Sequence, residues 1–338
     1  MPSPRNLEIS NRPSALGRRF WSVVLWTFLL LAGVESVCAD EVRVMIVKSG
    51  EASIYSKLSD TVENELNIAC LEKPVPACRG FKLKVASIED PDLDMQLHGF
   101  SSNDLVITAG RKAAQWLHMK RRAHSHSAQA IYSLIPQATY REIATTDSKS
   151  SAVFLDQPFD RLIRFSKLIT PSHPYIGVLL GPSTKQYEEE LKASATRHGV
   201  PIEFEIAESS DKIGGQLRKL LSNVNLLLGL PDPEIYNRKN VVGILLSSYH
   251  NQVPVLGFSA AYVKAGALAA VYSTPEDIGR QLAETIKEFL DSGGKRLPPP
   301  RFPSYFNIST NETVAKSLGL TLMNKELLRA LLMKEEEK

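Results

Sequence analysis

The feature that most constrains this chain is a long alternation of two kinds of segment. Short runs of Val, Ile and Leu with little polar interruption are separated by amphipathic stretches about one helix long. Uninterrupted apolar runs of this length suit strands covered on both faces, as in parallel sheets, and repeated strand and helix units connect by right-handed crossovers. The pattern predicts strands over 42–47, 81–85, 105–108 and 130–134, with helices over 52–68, 90–99 and 110–119 between them. The alternation resumes with strands over 151–155, 175–180, 201–206, 225–229 and 253–257, interleaved with helices over 159–169, 184–198, 210–222 and 237–249. A strand over 266–272 precedes a long helix over 274–292 that Thr274 caps and Pro275 opens. The break near Gln157 and Pro158, and the Pro-rich stretch 298–303, read as crossings between two halves; a strand over 305–308 and a helix over 311–318, ended by Gly319, follow. The fold class expected is α/β, with two Rossmann-like lobes whose parallel sheets are joined by hinge crossings. The first lobe takes residues 40–156 with about 274–302, and the second takes 157–273 with about 303–322. Residues 323–338 read as a charged tail, a frayed and solvated helix.

The first 39 residues read as a cleavable signal peptide. Arg5, Arg12, Arg18 and Arg19 precede an apolar run over 20–34, and the small residues Val37 and Ala39 suit cleavage before Asp40. The run is short for a membrane span, and the residues around Cys38 make a poor lipoprotein signal. Export places the protein in the periplasm. The leader carries four basic and two acidic side chains of the chain's 40 and 37, so the remainder is close to neutral. Neutrality argues against nucleic acid as a partner. Cys70 and Cys78 are the cysteines left after cleavage and flank a Pro-containing loop, so in an oxidising compartment a disulfide is expected. A free pair, or a metal site short of two ligands, are the alternative readings.

Ligands of open parallel sheets sit beyond the carboxyl ends of the strands, where loops and helix starts present free N–H groups. The corresponding loops hold Ser49 and Gly50, Thr108 and Gly110, and Ser133 in the first lobe, and Ser183, Pro231, Asp232 and Ser259 in the second. Each of these residue types also serves as an ordinary helix cap. Tyr55, Tyr236 and Tyr262 offer aromatic faces to a ligand, or pack beneath a loop. Asp232 offers a carboxylate for a ligand amine, or caps the helix that follows.

Three segments carry a family resemblance: Leu230-Pro-Asp-Pro-Glu-Ile-Tyr-Asn237, Ile244-Leu-Leu-Ser-Ser-Tyr249, and the block from Pro254 to Ala267 with Phe-Ser-x-x-Tyr-Val-Lys-x-Gly-Ala at its centre. Together with Tyr272 to Gln281 and Ala315 to Gly319, they resemble the periplasmic substrate-binding proteins of ABC transporters whose studied members take up aromatic amino acids. The resemblance implies a type I periplasmic-binding fold, a small-molecule ligand held between the lobes by hinge closure, and an ABC permease in the inner membrane as partner. Members of that family carry Asp-Pro-Val and then Gly after the fourth strand, where this chain has Leu134 to Tyr140, so the resemblance carries no ligand across that loop.

No Gly-rich phosphate loop, nucleophile elbow or paired His-Glu motif occurs, so no catalytic residue and no cofactor are expected and the chain is not read as an enzyme. Arg111, Lys112, Lys120, Arg121 and Arg122 with His118, His124 and His126 read as a solvated helix and loop, and no metal site is expected. The function expected is capture of a small organic ligand, an amino acid among the options, by a monomer that delivers it to the permease. The alternative is a periplasmic accessory or sensor protein that reuses the fold without transport.

Overall fold

The structure is a computed structural model, and it describes residues 42–72, 81–123, 127–144, 149–170 and 173–336. The expected leader over 1–39, the Cys70 and Cys78 disulfide, and His124 and His126 fall outside what those residues describe. Among the described residues no helix is long and apolar enough to cross a membrane.

The first sheet is parallel throughout. It is built from β1 (Val42–Lys48), β2 (Phe81–Ser87), β3 (Leu105–Ala109), β4 (Gln129–Ser133) and β5 (Ser150–Val153), in the order β2-β1-β3-β4-β5. Every residue of β3 and β4 is buried, which is why these strands read as apolar runs without alternation. Alternate side chains still serve opposite faces. Val44, Ile46, Leu105, Ile107 and Ile131 pack with Leu58 and Val62 of α1 (Ser53–Glu72), whereas Met45, Val47, Val106 and Tyr132 face Leu93 of α2 (Leu93–Leu97) and Leu117 of α3 (Arg111–Ala123). The helix α4 (Gln137–Ala144) leaves the end of β4.

The second sheet runs β11-β10-β9-β8-β6-β7. Its strands are β6 (Ile176–Leu180), β7 (Ile202–Ile206), β8 (Leu226–Leu228), β9 (Val255–Gly257), β10 (Ala269–Tyr272) and β11 (Asn307–Thr310), and only β11 is antiparallel to its neighbour. The helices α5 (Phe159–Ile169), α6 (Glu188–Arg197), α7 (Ile213–Leu221), α8 (Val241–His250) and α9 (Ala260–Ala265) alternate with these strands. The expected strand over 266–272 begins later, because Gly266 at φ 126° closes α9 first.

After β10 the chain returns to the first sheet as α10 (Pro275–Asp291). A capping box opens this helix: Thr274 accepts from the Asp277 amide, and Asp277 accepts from the Thr274 amide. Its residues Ile278, Leu282, Ile286 and Phe289 join the core beneath β1 and β3. Gly279 permits the close approach to α1, since a Cβ there would lie 2.9 Å from Thr61 Cβ and 3.0 Å from the Leu58 carbonyl. The chain then runs beside β5, where the Arg301 amide donates to Ala152 O at 2.9 Å and Phe154 N donates to Arg301 O at 3.0 Å. It re-enters the second lobe at Phe306.

Three segments therefore join the sheets, and side chains lace them together. Gln157 Nε2 donates to Ser273 Oγ at 2.9 Å, and Ser273 Oγ donates to Tyr305 O at 2.6 Å. Arg161 Nη1 donates to Gln157 Oε1 at 2.7 Å and to Pro303 O at 2.9 Å.

One expectation is corrected at the C-terminus. The tail is no frayed helix in solvent: α12 (Lys325–Glu336), which follows α11 (Glu312–Ser317), buries Leu328 and Leu332 fully against the second lobe. Glu336 also pairs with Arg161, at 2.5 Å from Nε. The charged residues of the last turn disguise a two-leucine stripe spaced for one helix face. Leu332→Ala should therefore cost about 2–4 kcal/mol in urea unfolding, and a loss below about 0.5 kcal/mol, the range of surface substitutions, would show that the helix is not packed.

Candidate ligand-binding site

Two cavities lie along the carboxyl ends of the strands where the sheets face one another. One, of about 230 Å³, is lined by Leu155, Asp156 and Gln157 from the first crossing and by Phe159, Leu162, Thr184, Tyr187, Leu230, Phe258, Ser259, Tyr272 and Ser273 among others. The other, of about 270 Å³, lies between lobes: Arg111, Pro136, Thr139 and Glu142 form one side, and Ser183, Asp232, Pro233 and Tyr236 the other. Pro231 and Phe258 line both cavities and separate them.

The lobes also touch directly. Arg141 of α4 pairs with Glu190 of α6 at 3.0 Å, and its guanidinium stands 5.4 Å from the centroid of the Tyr187 ring. Ala138 of α4 packs into the second lobe's core. The ion pair is largely exposed, so it contributes on the order of 0.2–1 kcal/mol.

The residues singled out in the sequence divide between these cavities and the scaffold. Ser183, Pro231 and Asp232 line the interlobe cavity, and Pro231 and Ser259 line the crossing cavity. Asp232 is occupied by its own loops: Oδ2 accepts from Ser183 N (3.1 Å), Thr184 N (3.1 Å) and Thr184 Oγ1 (3.0 Å), and Oδ1 accepts from Glu234 N (3.0 Å). Gly181 makes room for that carboxylate, since a Cβ there would lie 2.7 Å from Asp232 Cγ. Ser259 caps α9, accepting from Tyr262 N at 3.4 Å.

Ser49, Gly50, Tyr55, Thr108, Gly110, Ser133 and Tyr262 line neither cavity. Ser49 Oγ accepts from Ala113 N at 2.9 Å and so satisfies the start of α3, while Gly110 sits against the Tyr55 ring. Thr108 and Ser133 are fully buried, and the alternation of β3 and β4 puts them on opposite faces of the first sheet. Tyr262 stacks on Phe258 at 4.4 Å and lies 5.9 Å from Tyr236, forming the support beneath the cavity wall.

Sequence reasoning passed over Asp156, Phe159, Tyr187 and Phe258. The signal for the first two was the break at Gln157 and Pro158, since a segment that crosses between lobes also floors the space between them. Asp156 is half-buried, and Oδ2 accepts from the Gln137 amide at the start of α4. Burial pushes its carboxyl up to about 6, against the opposing pull of the Gln137 and Asp156 amides and the Arg141 charge. Burial likewise raises the Tyr187 hydroxyl, with the Asp156 charge adding to it.

The sequence profile of the ABC transporter substrate binding proteins matches residues 101–333. The chain belongs to that family. It is thus a binding protein for small ligands, not an enzyme. No curated protein matches the chain in sequence. Among solved structures, this substrate-binding protein is similar to the ABC domain in complex with L-Trp from Streptococcus pneumonia, at 19% identity and TM-score 0.55 over 85% of this chain and 98% of that one. It is similar also to the ligand-free, open structure of a substrate binding protein with adhesive properties from Clostridium difficile, at 16% identity and TM-score 0.63 over 84% and 97%. A conserved domain protein from Vibrio cholerae shares 17% identity and TM-score 0.54 over 86% and 98%. At these identities the likeness shows the fold, which is the two-lobed α/β architecture expected from the sequence.

Two substitutions separate scaffold from wall. Asp232→Ala strands three backbone amides, that of Thr184 buried, and the buried Thr184 hydroxyl, so it should destabilise by about 2–4 kcal/mol in denaturant unfolding; an unchanged midpoint would remove its structural role. Asp156→Asn should do the opposite. Because its folded pKa of about 6 exceeds the ordinary 3.8, the native state holds a proton that the unfolded chain releases between those values, and stability is lost as pH rises through about 6. The Asn variant should therefore melt higher than the parent at about pH 7.5, with most of the gain gone by about pH 4.5 and all of it below about pH 3.8. An equal difference at both values would contradict the shift.

Proposed function

We propose that the protein is exported to the periplasm, captures a small organic solute of about amino-acid size in the space at the lobe crossing, and hands it as a closed monomer to an ABC permease. The observation that carries this reading is the 230 Å³ cavity, floored by the first crossing and walled by loops of the second lobe. A mostly apolar pocket with a few convergent polar groups, just under the usual range of about 300–1,000 Å³, suits a solute at the small end of that range.

Closure is supported by the contacts between α4 and α6. They are few, one exposed ion pair and the buried contacts of Ala138 and Tyr187, and a solute seated on the crossing against Tyr187, which Arg141 of the first lobe overlies, adds differential affinity for the closed form. Export is supported by the charged and apolar pattern of residues 1–39, and delivery to a permease by family membership. The near-neutral charge of the remainder agrees with a small solute as ligand and with no nucleic acid as partner.

Thermal shift against a panel of amines, amino acids, organic acids and sugars tests the reading. A solute bound only by the folded form at about 100 times its Kd stabilises by about 2.7 kcal/mol, which in a chain of this size raises Tm by about 4 °C. Phe258→Ala should remove most of that rise by merging the two cavities. No shift with any compound would count against solute capture.

A further inference from the structure

We infer that the solute of the crossing cavity is an organic ammonium without a carboxylate, its charge taken by Asp156 and its apolar body by the rings of Phe159, Tyr187, Phe258 and Tyr272. The inference rests on the cleft-binding reading above and names the class of its solute.

The wall's polar groups are mostly committed elsewhere. Gln157 spends its amide on Ser273 and its oxygen on Arg161; Ser273 donates to Tyr305 O. Thr184 Oγ1 accepts from Gly181 N and donates to Asp232, and the Tyr272 hydroxyl meets Ser309 Oγ at 3.1 Å. Ser259 Oγ has accepted from the α9 amide and keeps its proton and a second lone pair. Two more groups have capacity left. The Asp156 carboxylate holds one partner besides its own amide, the Gln137 amide, where a carboxylate accepts about four bonds. The buried Tyr187 hydroxyl meets the Ala138 amide of α4 and keeps its own proton for a ligand.

The charge balance of the wall is one-sided. Among the described residues that line the cavity there is one acid and no Lys, Arg or His. The two nearest arginines face away: Arg141 is paired with Glu190, and Arg161 is buried against Glu336, Gln157 and Pro303 O. A ligand carboxylate would enter beside a half-buried Asp with only the Arg141 charge, already paired with Glu190, to offset it, which is costly at low dielectric. An ammonium meets the opposite situation. It supplies a directly bonded charge partner for Asp156, and aromatic rings around a cation attract it through their quadrupoles. The Tyr187 ring already does this for Arg141.

Isothermal titration calorimetry of the purified protein with three molecules of one body decides the matter: 2-phenylethylamine, L-phenylalanine and 3-phenylpropionate. The amine should bind at least about tenfold more tightly than the zwitterion, with the acid undetected, and Asp156→Asn should weaken the amine by about tenfold or more. The raised melting point expected of that variant at neutral pH reports that it is folded. The acid or the zwitterion binding as tightly as the amine, or the amine binding the Asn variant unchanged, overturns the inference. The same titration with alkylamines, alkyl acids and sugars separates the two readings. Acids or sugars binding where no amine does would sink the ammonium and leave solute capture standing, whereas silence from every class would sink both.

Discussion

The structure depends on a short chain of hydrogen bonds that ties its three crossings into one band. Gln157, Ser273 and Tyr305 come from segments far apart in sequence, yet each is bonded to the next through Gln157 Nε2 and the Ser273 hydroxyl. Both polar side chains are buried, so each unmade bond would cost about 1–3 kcal/mol. That penalty holds the three segments in register wherever the lobes stand. Arg161 extends the band to Pro303 and, through Glu336, to the C-terminal helix. The two sheets are therefore joined by a narrow, well-bonded strap, by the bond from Asn307 of β11 to Asp277 of α10 beside it, and by the Arg141 and Glu190 pair with the packing of Ala138.

This distribution of strong and weak contacts has consequences for binding. The strap fixes where the crossing cavity lies, because Asp156 and Gln157 are adjacent and one of them is bonded into the band. The weak contacts leave the opening and closing of the lobes to be decided by whatever occupies the space between them. Asp232 and Thr184 make the second-lobe wall rigid by tying the loop after β6 to the loop after β8. A rigid wall, a bonded floor and a loosely held lid form a sensible set of parts for a protein whose family captures small ligands.

Much of this was legible in the sequence, for reasons that differ from place to place. Strands such as β3 and β4 are buried at every position, so their apolar runs announced a parallel sheet, and Thr274 and Pro275 announced the start of α10. The resemblance over 230–281 led to the family. The tail misled because its terminal charges dominate its composition, while burial is decided by Leu328 and Leu332 alone. Site residues were harder. Ser49 and Ser259 sit where strand ends meet helix starts, and there a cap and a ligand contact have the same sequence signature. Asp232 and Asp156 illustrate the limit: both carboxylates flank loops, and only the fold shows that the first is filled by backbone amides while the second has capacity to spare. Tyr187 became a wall residue through the approach of α4 to α6, a relation between lobes that no local pattern encodes.

The central claim is that the two sheets swing on the bonded strap and shut on a guest. Spin labels on Lys112 of α3 and Glu189 of α6, exposed positions on opposite lobes, would report it directly by pulsed electron resonance. The account predicts two distance populations in the free protein and a collapse to the shorter one when a bound solute saturates the site. A single distance that no bound solute alters would contradict it.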